Sequence, residues 1–181
     1  MPRGIRVKGY ALVLGDNVDT DTIIPSRFLH STDPSYLASG VFSNTPGIRG
    51  RLDRLPRPVV IVAGRGFGYG SSREHAVIAL RAAGVEAVVA ESFHRIFYRN
   101  AVNNGLLVVE APGGLRAAAR DGDPVEVEAG EEATVIRLGG RVFHAPGLPA
   151  MVLELLSSGG LREALRRLAQ GGGAGAAGSL N

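Results

Sequence analysis

The period of the hydrophobic positions changes several times along this chain, and each change marks an element. In "GIRVKGYALVLG", residues 4–15, apolar positions alternate with polar or small ones and the run stops at glycine, as a strand does. "PVVIVAG", residues 58–64, is instead continuously apolar and β-branched, the pattern of a buried strand. A helical period takes over in "SREHAVIALRAAG", with Gly84 as its C-terminal stop. A strand "VEAVVA", a helix "ESFHRIFYRNAVNNG" stopping at Gly105, and a strand "LLVVEA" follow. Strand, helix, strand, helix, strand is the order of right-handed parallel crossovers.

Beyond residue 120 the pattern returns to strands. "DPVEVEAG" and "ATVIRLGGRVFHA" read as antiparallel strands, the last pair joined at Gly139-Gly140. "LPAMVLELLSSGGLREALRRLA" then gives two short amphipathic helices. The expected fold is a single α/β domain over residues 1–170, built on a mixed, partly parallel sheet. Residues 171–181 are rich in Gly and Ala and have too little apolar surface to order themselves, so a disordered tail is expected there.

Two segments fall outside these periods. Residues 16–58, with several Pro, Gly, Ser and Asp, read as a long irregular connection of the kind that is functional or disordered. The other is "GRGFGYGSSREHA", with glycine at 64, 66, 68 and 70 just ahead of a helix. That much glycine implies close approach to the backbone by a ligand or a partner chain.

Composition narrows the chemistry. A chain of 181 residues that is 45% hydrophobic can bury a real core. No apolar run approaches the roughly 18–20 residues of a membrane span, and the N-terminus lacks the apolar stretch of a signal peptide, so a cytoplasmic location is expected. There is no cysteine, hence no disulfide, no thiol nucleophile and no self-ligated iron–sulfur cluster. Four scattered histidines make a zinc site built by this chain alone improbable in spacing. The net charge is +3, carried almost wholly by arginine, with Lys8 the one lysine. No basic run is interleaved with aromatics, which gives nucleic-acid binding no support.

The glycine loop fails three familiar patterns. A P-loop needs lysine after its last glycine, where Ser71 stands. The dinucleotide fingerprint needs a third glycine at a spacing this loop does not supply. The nucleophile elbow needs glycine two residues after its serine, where Arg73 and Glu74 stand. What remains is a strand, a glycine turn and a helix start bearing Ser71, Ser72 and Arg73. A helix N-terminus favours an anion, and arginine offers a fork for carboxylate. The purely structural reading is a capping box, Ser71 with Glu74, worth about 1 kcal/mol. His75 fits a brace for the loop, and His94 and His144 fit ordinary surface or satisfied positions. Asp16, Asp19 and Asp21 do not continue into a calcium loop, and Asx-turn chemistry at a strand end accounts for them equally well.

Three stretches carry a resemblance. "GYGSSREHA" is similar to the G-x-G-S-S-R-E-H-A motif of the swivelling domain of the aconitase superfamily. "GDNVDTDTIIPSRFL" resembles its D-x-x-D-T-D motif, and "ESFHRIFYRNAVNNGLLVV" its segment after the following strand. They keep the family's order. The chain also resembles in size the free-standing small subunits of 3-isopropylmalate dehydratase and homoaconitase. The resemblance implies a swivelling β/β/α fold and a hydro-lyase that moves a hydroxyl between adjacent carbons. For the dehydratase this is interconversion of 2- and 3-isopropylmalate in leucine biosynthesis. It implies a large-subunit partner holding a [4Fe–4S] cluster, a small 2-hydroxy di- or tricarboxylate substrate, and inactivity of this chain alone.

By the same resemblance Ser71 is the general base, Ser72 and Arg73 hold substrate carboxylate, and Asp21 orients the serine–arginine loop. His30 stands where homoaconitase-type loops carry an arginine for the extra carboxylate. Histidine lacks arginine's permanent charge, so isopropylmalate is the expected substrate, with Phe28 and Leu29 near its isopropyl group; the alternatives are a homoaconitase small subunit of lysine biosynthesis and a hydro-lyase that accepts both acids. Two rival readings are a dicarboxylate-binding regulatory module, which would bind its ligand tightly without a partner, and an assembly scaffold with a decayed site.

Overall fold

The computed structural model describes residues 4–171. Its seven-stranded sheet has the order β4-β3-β2-β1-β5-β6-β7. The strands are β1 (Ile5–Val13), β2 (Val59–Ala63), β3 (Val85–Ala90), β4 (Leu107–Glu110), β5 (Pro124–Ala129), β6 (Ala133–Leu138) and β7 (Arg141–Pro146). The first four run parallel, and β5 pairs antiparallel with β1 before β6 and β7 continue the antiparallel half. The mixed α/β fold expected from the sequence is the one observed.

The parallel half is joined by two crossover helices, α4 (Glu74–Ala82) and α5 (Arg95–Asn103). Each ends where Gly84 (φ +92°) and Gly105 (φ +74°) take the left-handed conformation that halts a helix. The interior strand β2 is buried at all of its five positions, so both faces of the sheet must be covered. Alternation sends Val59, Ile61 and Ala63 into one core, with Leu12, Val88, Val77, Leu80 and Phe97. Val60 and Val62 enter the other, with Val127, Ile136, Leu138 and Leu153. Strands β4 and β7, the two edges, approach one another, and Ala111 and Ala145 line the crevice between them. The sheet therefore curls around the second core.

The long segment expected to be irregular is about half helical, in short pieces. It contains α1 (Thr20–Ile23), a 3-10 turn (Ser26–Phe28), α2 (Pro34–Gly40) and α3 (Pro46–Arg54). Short-range signals hold these pieces: Asp19 and Asp33 cap α1 and α2, and proline opens α2 and α3. They escape periodicity because each spans at most nine residues, too few turns for a stripe to stand out. Phe42, Leu37 and Ile23, all fully buried, tie the segment to the first core.

After α6 (Leu115–Ala118) and the antiparallel strands, α7 (Ala150–Ser157) and α8 (Leu161–Gly171) complete the described chain. Of the expected tail, Gly171 closes α8, and the remaining residues lie outside the described ones. No described helix is long and apolar enough to cross a membrane.

Candidate functional site

Ser71, Ser72 and Arg73 sit on the loop that leaves the carboxyl end of β2, beside the loop that leaves the neighbouring parallel strand β1 and leads to Asp21 in α1 and on to His30. The loops are zipped together by backbone hydrogen bonds: Asn17 N–H donates to Arg65 C=O (2.7 Å), Gly68 N–H to Val18 C=O (2.7 Å) and Thr20 N–H to Tyr69 C=O (3.0 Å). Such crevices beyond the carboxyl ends of strands are where open α/β sheets hold ligands.

This zipping accounts for the glycines. A Cβ on Gly64 would lie 1.8 Å from Asp16 Oδ1, the atom that accepts a hydrogen bond from Arg65 N–H. A Cβ on Gly68 would lie 2.2 Å from Cγ of buried Phe97, at φ +83°. Gly66 meets Asn17 Oδ1 in the same way at 2.5 Å, while a Cβ on Gly70 would sit 3.2 Å from Thr20 Oγ1 and the constraint there is its φ of +107°. The close approach anticipated from a ligand or partner is made by the chain's own β1–α1 loop and α5. Residue spacing along one segment could not reveal that a segment fifty residues away fills the gap.

The capping box does not form. Helix α4 begins at Glu74, its N-cap is Arg73, and no side chain caps it. Glu74 instead accepts a hydrogen bond from Asn104 Nδ2 at 2.9 Å. Ser71 lies in a turn closed by Arg73 N–H to Ser71 C=O (2.8 Å), and both Ser71 and Ser72 are exposed. The Ser71 hydroxyl lies 3.3 Å from the hydroxyl of Thr20, a residue only 2% exposed. A neutral hydroxyl is thus the side-chain neighbour of Ser71, and the positive end of the α4 dipole lies just beyond Arg73.

Arg73 reaches across to α1, where its guanidinium pairs with Asp21 and lies 3.5 Å from Ile24 C=O. The three aspartates, Asp16 and Asp19 in the β1–α1 loop and Asp21 in α1, do not converge. Asp16 takes Arg65 N–H, Asp19 takes Thr22 N–H at 2.6 Å, and Asp21 takes Arg73. Asp21 and Arg73 line a cleft of about 250 Å³ together with Pro25, Ser26, Arg27 and Asn44.

His30 does not line that cleft. Its Nδ1 lies 2.9 Å from Arg27 C=O, and its ring packs beside Tyr36. His94, N-cap of α5, lies beside Tyr69, and His144 is exposed on β7. Arg27, Ser26 and Asn44 are the neighbours that sequence reading missed, whereas Thr20 is the companion of Asp21 that the resemblance already turns toward the site. For Asn44 no local signal exists, because the turns between α1 and α3 alone bring it beside Arg27. Among the described residues no three His, Asp or Glu side chains converge as metal ligands, and the chain supplies no thiolate.

Residues 39–114 match the Aconitase C-terminal domain family, a span that includes Ser71–Arg73. The chain is 46% identical over 163 residues to the 3-isopropylmalate dehydratase small subunit of Saccharolobus islandicus strain L.S.2.15, covering 90% of this chain and 95% of that one. It is 48% identical over 164 residues to the corresponding small subunit of Metallosphaera sedula, covering 90% and 98%. The crystal structure of 3-isopropylmalate dehydratase from Methanocaldococcus jannaschii superposes with a TM-score of 0.76 at 39% identity, covering 94% of this chain and 100% of that one.

Proposed function

This chain belongs to the family of 3-isopropylmalate dehydratase small subunits, and on that premise we propose that, joined to a large subunit, it interconverts 2- and 3-isopropylmalate. The reaction is a dehydration followed by rehydration, a hydro-lyase step of leucine biosynthesis carried out in the cytoplasm.

The observation that carries the reading is the Ser71–Ser72–Arg73 turn. Its first serine caps no helix, is exposed, and lies 3.3 Å from the buried hydroxyl of Thr20, two residues ahead of Arg73. Ser71 Oγ, as the alkoxide, takes the proton from the carbon next to a substrate carboxylate and returns a proton on rehydration. A serine hydroxyl is a very weak acid, so its anion needs positive potential and a donor. Arg73 and the α4 N-terminus supply the potential, and Thr20 Oγ1 is the donor within reach. Ser72 and Arg73 hold the carboxylate, with Asp21 fixing the direction of the guanidinium.

Departure of the hydroxyl belongs to the partner in this reading. A [4Fe–4S] cluster there needs ligands this chain does not offer, since it contains no cysteine. His30, next to the cleft-lining segment, lacks the permanent charge that a third carboxylate would require, which favours isopropylmalate over homoaconitate.

Co-expression with the large subunit and anaerobic reconstitution test the proposal, read as kcat/KM for isopropylmalate against homoaconitate. The wild type is expected to prefer isopropylmalate, and His30→Arg to move the ratio toward homoaconitate. A complex that turns over neither acid, or a wild type preferring homoaconitate, refutes it.

A further inference from the structure

Arg27 and Arg73 line one cleft, with the single carboxylate of Asp21 on Arg73. Arg27 is held differently. Its Nη1 donates to Asn44 Oδ1 at 2.7 Å and its Nη2 to Ser43 Oγ at 3.1 Å, while the guanidinium carbon sits 4.9 Å from the centre of the Phe28 ring. All three partners are uncharged, and Arg27 joins no ion pair among the described residues. The side chain is therefore oriented by groups that leave its charge unneutralised. A guanidinium fixed in that way beside a carboxylate-binding arginine is built for a second anionic group.

We propose that Arg27 is the second carboxylate-binding residue of the site, taking one carboxylate of a 2-hydroxy dicarboxylate while Arg73 takes the other. The inference rests on the isopropylmalate reading for the identity of the acid. Its physical content is narrower: two arginines for two carboxylates on adjacent carbons. The carboxamide of Asn44 is the tether that sets the direction of Arg27, because it accepts the shorter of the two bonds.

The test uses the assembled complex with the large subunit, for wild type, Arg27→Gln, Arg27→Lys and Asn44→Ala. Calorimetry reads binding of an equilibrated isopropylmalate mixture and of 2-hydroxy-2,3-dimethylbutanoate, in which one carboxylate is replaced by hydrogen. Turnover is read in parallel. Arg27→Gln is expected to weaken the dicarboxylate by about tenfold to a hundredfold, the range for loss of a charge-assisted pair, and to leave the monocarboxylate within about twofold. In turnover the loss falls on KM more than on kcat. Arg27→Lys recovers part of the affinity, and Asn44→Ala produces a smaller loss with the same selectivity for the dicarboxylate. Equal losses for both acids, or an unchanged dicarboxylate affinity in Arg27→Gln, overturn the assignment. Arg27-dependent binding without turnover refutes the isopropylmalate reading and leaves this inference standing, whereas a complex that binds neither acid overturns both.

Discussion

The two halves of the sheet do different work. In the parallel half, successive strands are separated by helices, so every strand ends in a loop free to carry side chains outward. The β1 and β2 loops use that freedom to bring Thr20 to Ser71 and Asp21 to Arg73. In the antiparallel half, β6 returns to β7 through Gly139-Gly140, a turn too short to hold such a constellation. What that half displays is a ladder of ion pairs, Arg137 with Glu128, and the half-buried Glu126 and Glu128 with Arg6 of the adjoining β1. Connection length, more than strand composition, decides which half carries the site.

The comparison can be broken first at the turn itself. Ser71→Ala should lower kcat of the assembled enzyme by about a thousandfold or more, as loss of a base requires, with the melting temperature of the isolated chain unchanged. A residue that merely stabilised the loop would show the reverse, a shifted melt and near-normal turnover. Gly68→Ala attacks the zipper beneath the turn. It places a Cβ against Phe97 at a left-handed φ, and we expect about 3 kcal/mol of destabilisation from overpacking and strain combined, measured as a lower urea midpoint.

Thr20→Val sharpens the comparison more gently. It keeps the shape and removes the hydroxyl beside Ser71, so kcat should fall by about tenfold to a hundredfold with little change in KM. Thr20→Ser should restore most of the rate, and a Thr20→Val enzyme with full kcat would show that the hydroxyl pair plays no part. The smallest effect belongs to the other half. Glu128→Gln removes two partly exposed ion pairs and should cost less than about 1 kcal/mol, seen as a urea midpoint close to that of the wild type and normal turnover after assembly.

Much of this was open to reading from residues alone, and the boundary is physical. Strand β2 declared itself because five buried apolar residues in a row need cover on both faces. Gly84 and Gly105 marked the ends of α4 and α5 because only a residue tolerant of positive φ closes a helix in that way. The GYGSSREHA motif pointed to Ser71, Ser72 and Arg73 by resemblance. The pairing with Asp21 was foreshadowed there as well, though not its partner atoms.

Local sequence therefore determined the order of the strands, the helices α4, α5, α7 and α8, the mixed sheet and the segment that carries the serines and arginine, since periodicity and glycine stops act within one turn or strand. Tertiary structure alone decided the rest. It turned an apparent capping box into an uncapped turn, because Asn104 captures Glu74 and Thr20 meets Ser71. It converted four glycines from an imagined ligand cradle into the seam between two loops. It set Arg27, rather than His30, on the wall of the cleft, because Asn44 and Ser43 hold the one while a carbonyl of its own turn holds the other. Those outcomes depend on which distant segment reaches an atom first, and no pattern along a single stretch of chain encodes that distance.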